Sequence, residues 1–177
     1  MIRSVSVLLC LLVLAGTPPP RPAHAQVEKV TAGEVVDGET LRKFVLWAES
    51  VFSRIHDMDE GSRLLEEVRT EAGDYNAGNM YVILFTLKGR VFIHGEDPDT
   101  DRKNAVNVRD DAGTLVVQEM LSTGAEEGGG FVEWCWDDPA DPEDVLCKQA
   151  YAIRYHSPVA DREFVLVGGY YQDLTRD

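Results

Sequence analysis

Apolar residues Leu41, Phe44, Val45, Ala48, Val51, Phe52 and Ile55 recur at steps of three and four. That spacing places them on one face of a helix of about four turns, and Asp37 or Thr40 can cap its start. A shorter pattern, Leu64, Leu65 and Val68, follows Gly61-Ser62 and predicts a second helix running to about Glu71. The period then changes. Tyr81 to Leu87 is a run of aromatic and β-branched residues, and Lys88-Gly89 separates it from Arg90 to His94, which reads as a hairpin. Past a long polar stretch from Gly95 to Gly113, Leu115, Val116, Met120 and Leu121 predict a short helix. Gly128-Gly129-Gly130 releases the chain into a strand from Phe131 to Trp136, and Cys147 to His156 and Phe164 to Tyr171 supply two more. Two helices, a hairpin, a short helix and three consecutive strands predict an α+β fold, an antiparallel sheet of about five strands with the long N-terminal helix packed on one face.

The amino terminus has a different character. Arg3 is a short basic start, Val5 to Ala15 is apolar, and Ala23-His24-Ala25 fits a small-x-small cleavage site. The apolar run is shorter than the roughly 20 residues needed to span a bilayer, so an export signal over residues 1–25 is expected rather than a permanent anchor. Cys10 lies inside that run, not at its end, which argues against acylation. A short extension, 26–36, then leads into one domain, 37–177, in the periplasm or outside the cell. The charge agrees with an exported soluble protein: 17 basic residues face 31 acidic ones, a formal net charge of -14, and a phosphate-binding surface would work against that field. Nucleic acid is excluded as a partner, and no apolar segment after the signal is long enough to cross a membrane.

Export would place Cys135 and Cys147 where disulfides persist. A bridge between them and a pair of buried free thiols are both open; strand-like segments joined by an acidic, proline-containing loop favour the bridge. No Cys or His clusters with them, so no zinc site or other cofactor is expected. Asp97, Asp99 and Asp101 imitate the start of a calcium loop, but Arg102 stands where the turn glycine belongs and Val108 where the bidentate Glu should be, so they read as a solvated loop. There is no nucleophile elbow and no HExxH, and Ser157 beside His156 is adjacency in sequence only. An enzyme is not expected.

Four ordered pieces of the chain carry a resemblance: Gly78-Asn79-Met80-Tyr81 leading through a strand to Lys88-Gly89-Arg90-Val91-Phe92-Ile93-His94; Asp110-Asp111-Ala112-Gly113 before a short helix; Gly129 to Trp136 with Lys148-Gln149-Ala150-Tyr151; and Gly169-Tyr170-Tyr171. Over most of Glu39 to Asp173 the chain resembles the single Cache domain family, type 2, extracytoplasmic sensor modules with a PAS-like sheet. It departs from the family pattern at Met80, where Gly is usual, at Gly95, where Pro follows the His, and at Gly168, where a small hydroxyl residue is common. The resemblance implies a pocket on one sheet face for a small organic molecule, often a short carboxylate. Family members commonly hang between two spans. With no second span read here, a module acting in trans on a membrane sensor or transporter is expected.

A bridge from Cys135 to Cys147 would fix an antiparallel register that pairs Trp134 with Lys148, Glu133 with Gln149, Val132 with Ala150 and Phe131 with Tyr151. Lys148 then shares a face with Trp134 and Trp136, while Glu133 lies on the other. A cation held among aromatic walls needs solvent or an anion, because an unpaired desolvated charge is costly. The alternative is that Lys148 snorkels from the sheet edge and contacts nothing. The same register argument, with Lys88-Gly89 as a two-residue loop, aligns Ile83 with His94 and Phe85 with Phe92, so Tyr81 and His94 become polar tips on one face. Each has an equally ordinary structural reading, as a core aromatic or a structural histidine. Tyr151 belongs to the opposite face and should pack on the helices. Lys148, Trp134, Trp136, Tyr81 and His94 are thus the candidate ligand contacts for a small organic acid. The competing expectation is an interaction protein of the same fold whose pocket is filled by its own side chains.

Overall fold

The computed structural model describes residues 27–137 and 145–172. The expected export signal, its cleavage point before Gln26 and the stretch 138–144 between the cysteines lie outside the described residues. Helix α1 runs over Gly38–Phe52 and is started by a reciprocal cap: the Thr40 amide donates to Asp37 Oδ1 at 2.8 Å and the Asp37 amide donates to Thr40 Oγ1 at 3.1 Å. Both residues proposed as caps therefore act together, as in a capping box. The face made by Leu41, Phe44, Val45, Trp47, Ala48 and Phe52 is buried. Helix α2, Met58–Val68, begins one turn earlier than expected because the Asp57 carboxylate accepts from the amides of Asp59 and Glu60, which draws Gly61 and Ser62 inside the helix; it also ends short of Glu71.

The remaining elements are β1 (Asn76–Ala77), β2 (Met80–Thr86), β3 (Val91–His94), α3 (Val116–Thr123), β4 (Gly130–Asp137), β5 (Val145–Ser157) and β6 (Arg162–Tyr171). They form one antiparallel sheet in the order β1-β2-β6-β5-β4, with β3 also on β2. The sheet has six strands where about five were expected; the addition is β1, whose two residues are too few to show any periodicity. Helices α1 and α2 cover one face over a core that includes Phe44, Val82, Leu84, Tyr151, Phe164 and Leu166. Helix α3 packs on the other, over Phe85, Val132, Trp134, Ala150, Val165 and Val167. Among the described residues no helix is long and apolar enough to cross a membrane.

The first hairpin corrects one expectation. Its loop takes three residues, Leu87 to Gly89, since Thr86 pairs with Arg90 and Gly89 adopts a φ of +73°. Phe85 therefore faces Val91, not Phe92; a bulge at Phe92 then restores the expected pairing of Ile83 with His94. Phe92 is turned to the helix side, against Phe164, and Val91 takes its place on the α3 side.

Helix α1 rests directly on bare backbone at Gly168. A Cβ there would lie 2.7 Å from Val45 Cγ2 and 3.0 Å from both Met80 Cε and Phe44 Cε1. Val45 is β-branched and fully buried, so it has no free rotamer to retreat into. Gly168→Ala is expected to cost roughly 1–3 kcal/mol by overpacking, measurable as a lower urea midpoint at unchanged slope. A midpoint equal to the parent protein's would refute this close-packed seat.

Candidate ligand-binding site

Strands β4 and β5 pair in the register expected from the cysteines, from Phe131 opposite Tyr151 through Trp134 opposite Lys148 to Cys135 opposite Cys147. The cysteines are bonded, with Cα atoms 4.0 Å apart. Alternation along the strands puts Trp134, Trp136 and Lys148 on the α3 side, where they line a cavity of about 300 Å³ together with Tyr81 of β2 and His94 of β3. The five candidate contacts, drawn from four strands, are brought to one hollow. Glu133 is on the other face, accepting a hydrogen bond from Gln149. Tyr151 is also there, packed in the helix-side core with its hydroxyl donating to the Gly128 carbonyl.

Lys148 is only 3% exposed, so it does not snorkel to the surface. Its Nζ has no hydrogen-bond partner among the described residues. It stands 3.5 Å from the centre of the Tyr81 ring and 4.7 Å from that of Tyr171. The ring quadrupoles offset part of the desolvation cost, about 2 kcal/mol for a well-placed face, but they leave the ammonium's N–H donors without acceptors. Burial accordingly pulls the Lys148 pKa down to about 7, and the charge of Glu96, in the segment after β3, pulls weakly the other way. A second donor is in the same position: Trp134 is 7% exposed and its Nε1 also lacks a partner. Trp136 meets Trp134 edge to face, with ring centres 6.3 Å apart.

Tyr81 is buried beneath the ammonium, and burial, with the nearby Tyr171 and Glu96, holds its phenol protonated well above the usual range. His94 is half-buried beside it, ring centres 4.9 Å apart. The amides of Asp97 and Glu96 donate to His94 Nδ1 at 2.9 and 3.3 Å, so the neutral ring carries its proton on Nε2. Desolvation first, then the Lys148 charge, lowers the His94 pKa from its ordinary value.

The sequence reading missed two parts of this wall. Tyr171 reaches the site because β5 and β6 pair Lys148 with Tyr171, a register that counting back from the turn between Ser157 and Arg162 would have supplied. The other part is the polar stretch after His94, expected to be solvated, which instead lies over the sheet. The Val91 amide donates to the Lys103 carbonyl, Arg102 and Ala105 amides donate to the carbonyls of Val91 and Gly89, and Gln118 of α3 donates to Val106. The acidic run has internal work as well: Asp97 caps a short 3-10 turn, and Asp101 accepts from the His94 amide while pairing with Arg69, the C-cap of α2. Polar composition concealed a cover whose anchoring is through its backbone.

Comparison with known proteins agrees with this architecture. A methyl-accepting chemotaxis protein from Vibrio parahaemolyticus superimposes with a TM-score of 0.55 at 19% identity, over 73% of this chain and 82% of its own. The periplasmic sensor domain of a chemotaxis protein gives 0.53 at 26% identity, over 76% and 90%. A Cache chemosensory domain, described as showing the structural basis for carboxylic acid recognition, gives 0.53 at 18% identity, over 75% and 86%. No curated protein matches. The model of the family described as Single Cache domain 2 matches residues 53–176, from the end of α1 through the whole sheet, and the chain belongs to that family.

Proposed function

We propose that this protein is an extracytoplasmic sensor module that binds a small organic acid through Lys148 and offers the occupied form to a membrane receptor or transporter in trans. In this reading residues 1–25 are the export signal, 26–36 a short extension and 37–177 the sensing domain, and the role is binding rather than catalysis. The observation that carries it is a lysine at 3% exposure whose ammonium has no acceptor among the described residues and faces a cavity of about 300 Å³. A carboxylate would provide the missing charge-assisted hydrogen bonds, each contributing roughly 1.5–3 kcal/mol. The family and the carboxylic acid recognised by one structural neighbour point the same way. An interaction protein with a filled pocket fits less well, because the hollow is there. The protein's net acidity is little obstacle, since surface charges farther than about 8 Å are screened.

A thermal-shift screen of the purified protein against short mono- and dicarboxylates, amino acids and amines, run beside Lys148→Met, tests the proposal. A saturating acid at a hundred times its Kd stabilises by about 2.7 kcal/mol, and the substitution should abolish that shift. Acids that stabilise both proteins alike would remove Lys148 from the site.

The lysine also sets the pH dependence. The free site binds anions in its protonated form; with a pKa of about 7 that form is lost as pH rises, so affinity should fall about tenfold per unit above pH 7. The surrounding groups do not interfere in that window: the Tyr81 and Tyr171 phenols are held up and His94 is held down, while Glu96 and Lys103 contribute charge of opposite sign. Calorimetry at pH 8.5 in two buffers of different ionisation enthalpy should show uptake of close to one proton per ligand. Binding without proton uptake would mean that Lys148 is already charged in the free protein.

A further inference from the structure

We infer that the cavity takes a monocarboxylate with an aromatic or branched apolar body, its carboxylate shared between Lys148 Nζ and Trp134 Nε1. This rests on the organic-acid reading of the same cavity and narrows it. Two donors, not one, are buried there without acceptors among the described residues. They belong to a directly opposed cross-strand pair, Trp134 and Lys148, which puts both side chains on one face as immediate neighbours. A carboxylate has two acceptor oxygens on one carbon, so it can serve both donors at once and also neutralise the ammonium; an alcohol or a carbonyl brings one oxygen and no charge.

The rest of the wall selects the body. Ile83, Phe85, Val91, Val116, Val117 and Met120 present hydrocarbon to the hollow, and Trp136, Tyr81 and Tyr171 add rings. A second carboxylate would be desolvated against this hydrocarbon and would have to reach the polar side of the lining, His94, Thr100, Asn104 or the exposed Lys103. An α-amino acid would set its ammonium beside that of Lys148, and among the described residues no Asp or Glu lines the cavity to receive it; Glu96 acts on Lys148 from outside the lining. Size argues in the same direction. A volume of about 300 Å³ is at the lower end of the roughly 300–1,000 Å³ of drug-sized ligand sites, and acetate would leave most of the apolar surface without a partner. A phenyl or branched-chain body covers more of that surface than acetate does.

Titration calorimetry of the purified protein at pH 7 with phenylacetate, benzoate and isovalerate, against acetate, succinate and phenylalanine, tests the inference. Phenylacetate should bind roughly 10- to 100-fold tighter than acetate, the gain from burying a ring. Trp134→Phe, which keeps an aromatic ring and removes the N–H, should weaken phenylacetate roughly 10-fold or more. Because that variant can fail to fold, the indole N–H signal of Trp134 is followed in ¹⁵N-labelled parent protein, assigned by elimination with Trp47→Phe and Trp136→Phe. It should move downfield on adding phenylacetate. Acetate, succinate or phenylalanine binding as tightly as phenylacetate overturns the preference while leaving the organic-acid reading in place. An unmoved indole signal overturns the shared carboxylate. Carboxylates that do not bind at all, or that bind Lys148→Met equally well, overturn the organic-acid reading itself.

Discussion

Lys148→Met is expected to make the free protein more stable while removing its ligand response. Methionine keeps the length and apolar stem of the lysine and deletes a buried charge that has no hydrogen-bond acceptor among the described residues. Replacing buried charge by matching hydrocarbon commonly stabilises by about 1–4 kcal/mol. The sign with pH follows from the depressed pKa. In the unfolded chain the ammonium titrates near 10.5, in the folded protein near 7. Between those values the unfolded state holds the extra proton, so the parent's stability rises with pH across the window and the lysine's cost is greatest at and below pH 7. The advantage of Lys148→Met should therefore be largest near pH 7, on the order of 5–10 °C in Tm, and shrink steadily toward pH 10. His94 is held neutral through this range and the Tyr81 and Tyr171 phenols are held protonated, so the difference between the two proteins isolates Lys148. Calorimetric melting curves at unit steps of pH measure it. A substitution that destabilises equally at every pH would show that the aromatic faces satisfy the ammonium in full.

Reducing the Cys135–Cys147 bond should produce the other large effect. The bond closes a sequence separation of 12 residues, and releasing a loop of that size costs about 3 kcal/mol in the chain-entropy account. Among the described residues strand β4 is laddered to β5 alone, with one long main-chain hydrogen bond from the Asp111 amide to the Cys135 carbonyl on its other side. Both cysteines are half-buried, within reach of a small thiol. Urea denaturation with and without dithiothreitol should differ by about that amount, and Cys135→Ala with Cys147→Ala should reproduce the reduced protein. Because the bond adjoins the Trp134–Lys148 pair, the reduced form should also bind carboxylates more weakly. Equal denaturation midpoints for the oxidised and reduced protein would show that the eight-pair ladder of β4 and β5 holds without it.

The parts of this architecture that could be read in advance were those fixed by short-range rules. Two cysteines set the β4–β5 register, and two-residue alternation then separated Lys148 from Glu133 and Tyr151 without any coordinates. Heptad-like spacing located α1, and Asp37 with Thr40 marked its start. What stayed hidden depended on contacts between distant segments. The cover after His94 is held by main-chain hydrogen bonds to β3, which leave no side-chain signature, and its aspartates resembled solvent-exposed ones although Asp101 is tied to α2 and to His94. Tyr171 needed the pairing of β5 with β6, which composition does not announce. Glu96, the acid that acts on Lys148, lies in that same cover.

The hairpin around β3 behaves like a reading frame shifted and then restored. The turn at Leu87 to Gly89 consumes one residue more than a two-residue loop, and Phe92 gives it back. Only the short tract between the two shifts is read differently: Val91 goes to the cavity and Phe92 to the opposite cleft, beside Leu84 and Phe164. His94, downstream of both, keeps its place. Straightening the bulge while the three-residue turn stayed would slide Ile93 opposite Ile83 and carry the histidine out of frame, whereas straightening it together with a two-residue turn at Lys88-Gly89 would be silent at His94.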